Sequence, residues 1–180
     1  ATQNFTTSTS SYNTGVGYAA GGAVTTGVEN TLIGGNAGDA LTDADYNVAM
    51  GAYALSTDTL GSKSTAIGAA ALNKQNFGTA TDSFNTAVGF VAGKEITTGI
   101  KNTLMGGLAG DAITDADSNV AIGFESLTTN QLGSKSVAVG QGTLSNQNPA
   151  TAADMYNVGV GFNAGANVST GISNTLIGAL

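Results

Sequence analysis

Ten glycines impose the frame into which this chain must fit. Gly17, Gly34, Gly51, Gly68, Gly89, Gly106, Gly123, Gly140, Gly161 and Gly178 each close a five-residue motif: Asn or Ser, then Thr or Val, a small residue or Leu, an aliphatic residue or Met, and Gly. The spacings are 17, 17, 17, 21, 17, 17, 17, 21 and 17 residues, so the true period is 72 residues divided into four unequal rungs. Self-similarity at a fixed period specifies a stacked array, in which each unit buries its apolar face only against its neighbours.

The longer register holds in detail. Gly38-Asp39-Ala40-Leu41-Thr42-Asp43-Ala44-Asp45 returns as Gly110-Asp111-Ala112-Ile113-Thr114-Asp115-Ala116-Asp117, and Leu60-Gly61-Ser62-Lys63-Ser64 returns as Leu132-Gly133-Ser134-Lys135-Ser136. Gln3-Asn4-Phe5 returns as Gln75-Asn76-Phe77 and as Gln147-Asn148-Pro149. The chain therefore reads as one continuous array over 1–180, with super-repeats at 1–72 and 73–144 and half of a third at 145–180. Neither end carries a recognisable cap, which suggests a stretch of a longer fibre or a unit that stacks end to end.

Composition narrows the class. Twenty-seven Gly, 9% charged residues and a single Pro disfavour a compact helical domain, and no stretch keeps apolar residues at helical spacing for three turns. The motif alternates as a strand does. With no Cys and no His, disulfides, thiolate metal sites and the commonest general base are excluded. Five Lys against 12 acids, with no Arg, give a net charge of −7, which argues against binding nucleic acid. No apolar run reaches the length of a membrane span, so membrane insertion is not expected. A Cys-free, Thr/Asn/Gly-rich chain suits an extracellular, cell-surface or virion location.

Aligned on Gly, the rungs form columns. The residue one before Gly is always aliphatic or Met, and the residue three before is always Thr or Val. These two columns share one face of a strand, and their β-branched side chains predict that this face lines the interior. Asn or Ser four before Gly predicts a ladder of hydrogen bonds between rungs. The Gly itself predicts a tight bend or close approach of another backbone, a second chain being one explanation. Four after Gly, the residues run Gly21, Gly38, Leu55, Leu72, Gly93, Gly110, Leu127, Leu144 and Gly165, a two-on, two-off pattern that predicts interlocking of large against small layers. Tyr12 with Tyr18, Phe84 with Phe90, and Tyr156 with Phe162 flank the motif in the first rung of each repeat.

The segments Tyr12-Asn13-Thr14-Gly15-Val16-Gly17-Tyr18, Phe84-Asn85-Thr86-Ala87-Val88-Gly89-Phe90 and Ser118-Asn119-Val120-Ala121-Ile122-Gly123-Phe124 resemble the Asn-Thr-Ala-Ile-Gly-Tyr repeats of phage tail-fibre proteins. They are more distantly similar to the Val-Ala-Ile-Gly repeats in the heads of trimeric autotransporter adhesins. This resemblance implies a left-handed parallel β-roll, commonly a homotrimer, displayed on a virion or cell surface for attachment. The expected fold is thus an all-β, parallel β-solenoid of ten 17- and 21-residue rungs, forming a trimer or a head-to-tail filament. Its expected role is a fibre shaft or adhesive segment.

Chemistry has few candidates. Asp39, Asp43, Asp45, Asp111, Asp115 and Asp117 supply half of all acids, and carboxylates two and four apart on a turn are potential oxygen ligands for Ca²⁺. The competing reading is a solvated loop whose Asp and Thr side chains bond nearby amides. The recurring aromatics pack between layers or stack on the sugars of a cell-surface glycan. Asn4-Phe5-Thr6 and Asn167-Val168-Ser169 are formal glycosylation sequons. Lys63 and Lys135 read as exposed charges on a strand edge. No enzyme is expected: a glycosidase needs two carboxylates in different environments, and nothing bulky and apolar flanks these acids to raise one pKa. An inward Thr/Val column weighs against ice binding.

Overall fold

The computed structural model describes residues 10–179, and its regular structure is entirely β. The strands are β1 (Thr14–Val16), β2 (Thr31–Ile33), β3 (Val48–Met50), β4 (Gly61–Ser62), β5 (Thr65–Ile67), β6 (Thr81–Asp82), β7 (Thr86–Val88), β8 (Thr103–Met105), β9 (Val120–Ile122), β10 (Gly133–Ser134), β11 (Val137–Val139), β12 (Ala153–Asp154), β13 (Val158–Val160) and β14 (Thr175–Ile177). Ten of them, one per glycine motif, form a parallel sheet in the order β1-β2-β3-β5-β7-β8-β9-β11-β13-β14. On another side of the coil, β4 pairs with β6 and β10 with β12, again in parallel. Register follows the sequence period: Thr14 faces Thr31 across a 17-residue rung, and Thr65 faces Thr86 across a 21-residue one. The chain is a β-solenoid of about ten turns.

The interior is lined by the other face of the strand from the one the sequence predicts. The middle residue of each strand is buried: Leu32, Ala49, Ala66, Ala87, Leu104, Ala121 and Ala138 are at most 2% exposed. The Thr/Val column before it and the Val/Ile/Met column after it are half-buried or exposed. A shift of one residue exchanges the two faces of a strand completely. The cause is lateral space, since a 17-residue coil has room behind each strand for Ala or a single Leu once its opposite wall is filled.

That wall explains the two-on, two-off pattern. Leu55, Leu72, Leu127 and Leu144, four after Gly, are fully buried. Where that position is Gly, the aliphatic filling comes three residues later, from Val24, Leu41, Ile96 or Ile113. The vacated volume admits a Leu from the sheet. A Cβ added to Gly21 would sit 2.7 Å from Leu32 Cδ1, and one added to Gly93 would sit 2.7 Å from Leu104 Cδ1. Large against small does interlock, within one chain.

Buried amides join the rungs. Asn102 Nδ2 donates to the Ala116 carbonyl at 2.9 Å, while Asn102 Oδ1 accepts the Asn119 backbone N–H at 3.0 Å. The same pair of bonds recurs at Asn30, Asn47 and Asn119. Each amide therefore satisfies groups that solvent cannot reach. Ser64 and Ser136 interrupt the ladder, and Gln75 and Gln147 from the 21-residue rungs bridge the gaps. Gln75 Nε2 donates to Ser64 Oγ at 2.8 Å and its Oε1 accepts Asn85 Nδ2 at 2.8 Å; Gln147 Oε1 accepts both Ser136 Oγ and Asn157 Nδ2.

The conserved glycine of each motif meets its own chain. Gly34 has φ +132°, and a Cβ there would lie 2.6 Å from the Gly51 carbonyl oxygen. The close neighbour anticipated from sequence is the next rung, not a second molecule. At the opposite end of the face strand the corner is also left-handed. The residue five before Gly has a φ of 49–62° in all ten rungs, although it is Tyr, Phe, Lys, Glu or Ser and never Gly.

Candidate functional site

With the strand faces assigned, the most conspicuous surface is the outside of the ten-stranded sheet. Two central columns run its length, Thr14 to Thr175 and Val16 to Ile177. Of these, Val16, Met50, Met105, Ile122, Val160 and Ile177 stand well exposed. Along one rim lie the left-handed corner residues, five before Gly; along the other lie the residues one and two after Gly. Nine strand spacings by six residues of strand make a face of roughly 45 Å by 20 Å, about 900 Å². Contiguous apolar surface on a soluble monomer rarely exceeds a few hundred Å².

The rims are patterned. Counting rungs from Gly17, the odd rungs carry Tyr12 and Tyr18, Tyr46 and Tyr53, Phe84 and Phe90, Phe124 alone, then Tyr156 and Phe162. Nine of the chain's eleven aromatic residues are in these positions, and all nine are exposed, Tyr18 to 83%. Sequence reading found the pairs in rungs one, five and nine but missed Tyr46 with Tyr53, because Tyr53 is displaced by one residue. The even rungs instead present Glu29, Lys63, Lys101, Lys135 and Ser173 on one rim, and Gly35, Ala69, Gly107, Gln141 and Ala179 on the other.

Lys63 and Lys135 are more than isolated edge charges. Lys135 Nζ lies 2.6 Å from Asp154 Oδ2 and 5.4 Å from the centroid of the Tyr156 ring, and Tyr156 donates its hydroxyl to the same Asp154 oxygen. Lys63 repeats the arrangement with Asp82 and the Phe84 ring, 5.3 Å away. The Lys135 ammonium and then the Tyr156 hydroxyl hold the Asp154 carboxyl below its ordinary value, and Asp154 in turn raises Lys135. A Lys seated beside a ring gains a cation–π contact in addition to the ion pair.

The six Asp of the repeated loop are dispersed by the same stacking. Asp43 Oδ1 accepts the Thr26 hydroxyl, Asp115 Oδ1 accepts Thr97 and Thr98, and Asp111 Oδ1 accepts Thr128. Asp45 and Asp117 accept the backbone N–H of Val28 and Ile100, each at 2.8 Å. Asp39 accepts Asn36 through Oδ2, while its Oδ1 is buried without a donor. Among the described residues, no three acids gather in a group able to hold a metal ion. The Thr98 hydroxyl first, and then Thr97, lower the Asp115 pKa.

Outward-facing Thr removes the objection to ice binding that an inward column raised. A different one replaces it: aromatic side chains standing along both rims in alternate rungs leave no flat face to seat on a crystal plane. Of the two sequons, Asn167 is exposed, and Asn4 lies outside the described residues.

No protein-family model, curated protein or solved structure matches this chain.

Proposed function

We propose that the chain is a structural, fibre-forming segment, the shaft or adhesive part of an extracellular or virion appendage, and that it self-associates through the outer face of its ten-stranded sheet. The observation that carries this reading is the size and apolar character of that face. About 900 Å² matches what one partner contributes to a standard protein interface, roughly 800 Å². Rigidity comes from the stack, in which every rung hydrogen-bonds to the next and stability accumulates by addition. In this reading the coil winds left-handed, as the resemblance to tail-fibre repeats implies, and three chains close around an axis. A contact that fails to close gives a filament instead.

Sedimentation analysis and electron microscopy test the proposal together. The expected result is a slender trimeric rod or a uniform filament, and Ile122→Lys with Met105→Lys should yield a folded monomer. A wild-type chain that stays monomeric at tens of micromolar would refute self-association. A second reading, a glycan-binding module, draws on the exposed aromatics, since rings along a rim offer repeated stacking platforms for sugars. It predicts chemical-shift changes confined to Tyr18, Phe90, Phe124 and Phe162 on titration with oligosaccharides.

A further inference from the structure

The two rims of one rung carry correlated residues that never meet in a single chain. In rungs one, three, five and nine both rims are aromatic, and in no even rung is either rim aromatic. Six residues of strand separate them, about 20 Å, so no intrachain contact links their identities. The corner rim holds its large side chains in spite of the backbone, because a left-handed φ costs an L-residue roughly 1–2 kcal/mol that Gly avoids. Tyr12, Tyr46, Phe84 and Tyr156 nonetheless occupy it and remain exposed. Something outside the chain must reward both rims at the same height.

Resting on the self-association proposed above, we infer that the face packs against parallel copies of the same chain rung for rung, the corner rim of one copy meeting the rim after Gly of the next. Only a head-to-tail ring contact places those two different rims together, as a closed cyclic assembly requires. Tyr12 then meets the neighbouring copy's Tyr18, Tyr46 its Tyr53, Phe84 its Phe90 and Tyr156 its Phe162. Charge agrees with this register. Among the described residues, Lys101 and Glu125 form no ion pair, although Lys63, Lys74, Lys94 and Lys135 all do. Lys101 stands on the corner rim of rung six and Glu125 on the opposite rim of rung seven. Between aligned copies they are one strand spacing apart in height, about 4.8 Å, within reach of a Lys side chain. A stagger of one rung instead sets each aromatic against Lys, Gly or Ala.

The absence of Cys makes the register measurable by disulfide trapping. Phe84→Cys with Phe90→Cys should be captured on oxidation as covalent multimers on a non-reducing gel. Phe84→Cys with Ala69→Cys, and Phe84→Cys with Gly107→Cys, should not. Capture of a staggered pair, or of none while sedimentation still shows oligomers, overturns rung-for-rung packing and leaves self-association standing; a monomeric wild type removes both. Independently, Lys101→Glu and Glu125→Lys should each weaken association roughly tenfold, and their combination should restore it. Failure of the double exchange to recover association overturns the assigned pair.

Discussion

Leu104 and Gly93 test whether the interior is a jigsaw or merely a greasy filling. Leu104 is fully buried, and its Cδ1 occupies the space over Gly93 where a Cβ would stand 2.7 Å away; Ile96 Cδ1 and Leu72 Cδ2 would be 3.1 Å from it. Leu104→Ala alone should cost about 3–5 kcal/mol, transfer plus cavity. Gly93→Ala alone forces a methyl into occupied volume, about 1–3 kcal/mol, and places Ala at φ +58°, roughly another 1–2 kcal/mol. In the Leu104→Ala background the overpacking is relieved and the new methyl refills part of the cavity. Only the backbone strain remains, so the two changes should couple favourably by about 1–3 kcal/mol. Urea unfolding of all four proteins at one protein concentration supplies the cycle. Costs that add to within about 0.5 kcal/mol would show that Leu104 and Gly93 do not share that volume.

Other positions give simpler outcomes. Asn102→Ala should destabilise by about 2–4 kcal/mol in thermal or urea melts, because it strands the buried Asn119 N–H and weakens satisfaction of the Ala116 carbonyl. Asp58→Asn should cost about 1–3 kcal/mol: buried Asp58 accepts from Gly61 N–H, Phe77 N–H and Gln75 Nε2, and an amide cannot accept all three. Thr98→Val should lower the melting temperature at pH 7 and have no effect in acid. The hydroxyl depresses the Asp115 pKa, so its contribution is present above the unfolded value near ~3.9 and is lost as pH falls through the lower folded value. Calcium or EDTA should leave the melting midpoint unchanged, since the loop acids are dispersed among Thr hydroxyls and amides; a rise with calcium would show a native-state site.

The period, the parallel stacking and the Asn ladder are legible in the sequence because all three follow from counting. Which face of the strand turns inward is not. Both strand columns are rich in β-branched residues, and β-branching reports an extended backbone without saying which side is covered. The deciding signal was the middle column, Ala or Leu, read against the residue four after Gly. Leu32 and Leu104 occur where Gly21 and Gly93 leave room, a complementarity between positions eleven residues apart that a motif-centred alignment separates. The compensation between repeats is similarly hidden. Phe77 fills the space beside Gly61, whereas Met155 fills the equivalent space beside Gly133, although Phe77 aligns with Pro149 and Met155 with Ser83. Asp58 likewise becomes Asn130, and Gln147 Nε2 is left buried without the acceptor that Gln75 finds. The site was obscured by the same inversion, since an apolar face assigned to the interior cannot be recognised as a surface.

The 21-residue rungs show where this architecture tolerates growth. Thr59 is linked to Asn76 at the 17-residue interval and β4 to β6 at a 20-residue one, so the surplus chain leaves between Phe77 and Thr81. Gly78, Thr79 and Ala80 protrude into solvent, yet β5 and β7 pair in the same register as strands without the extra length. That corner works as a side branch. A loop can be lengthened or a peptide grafted there once every 72 residues, giving evenly pitched decoration along a rod whose pitch it does not alter.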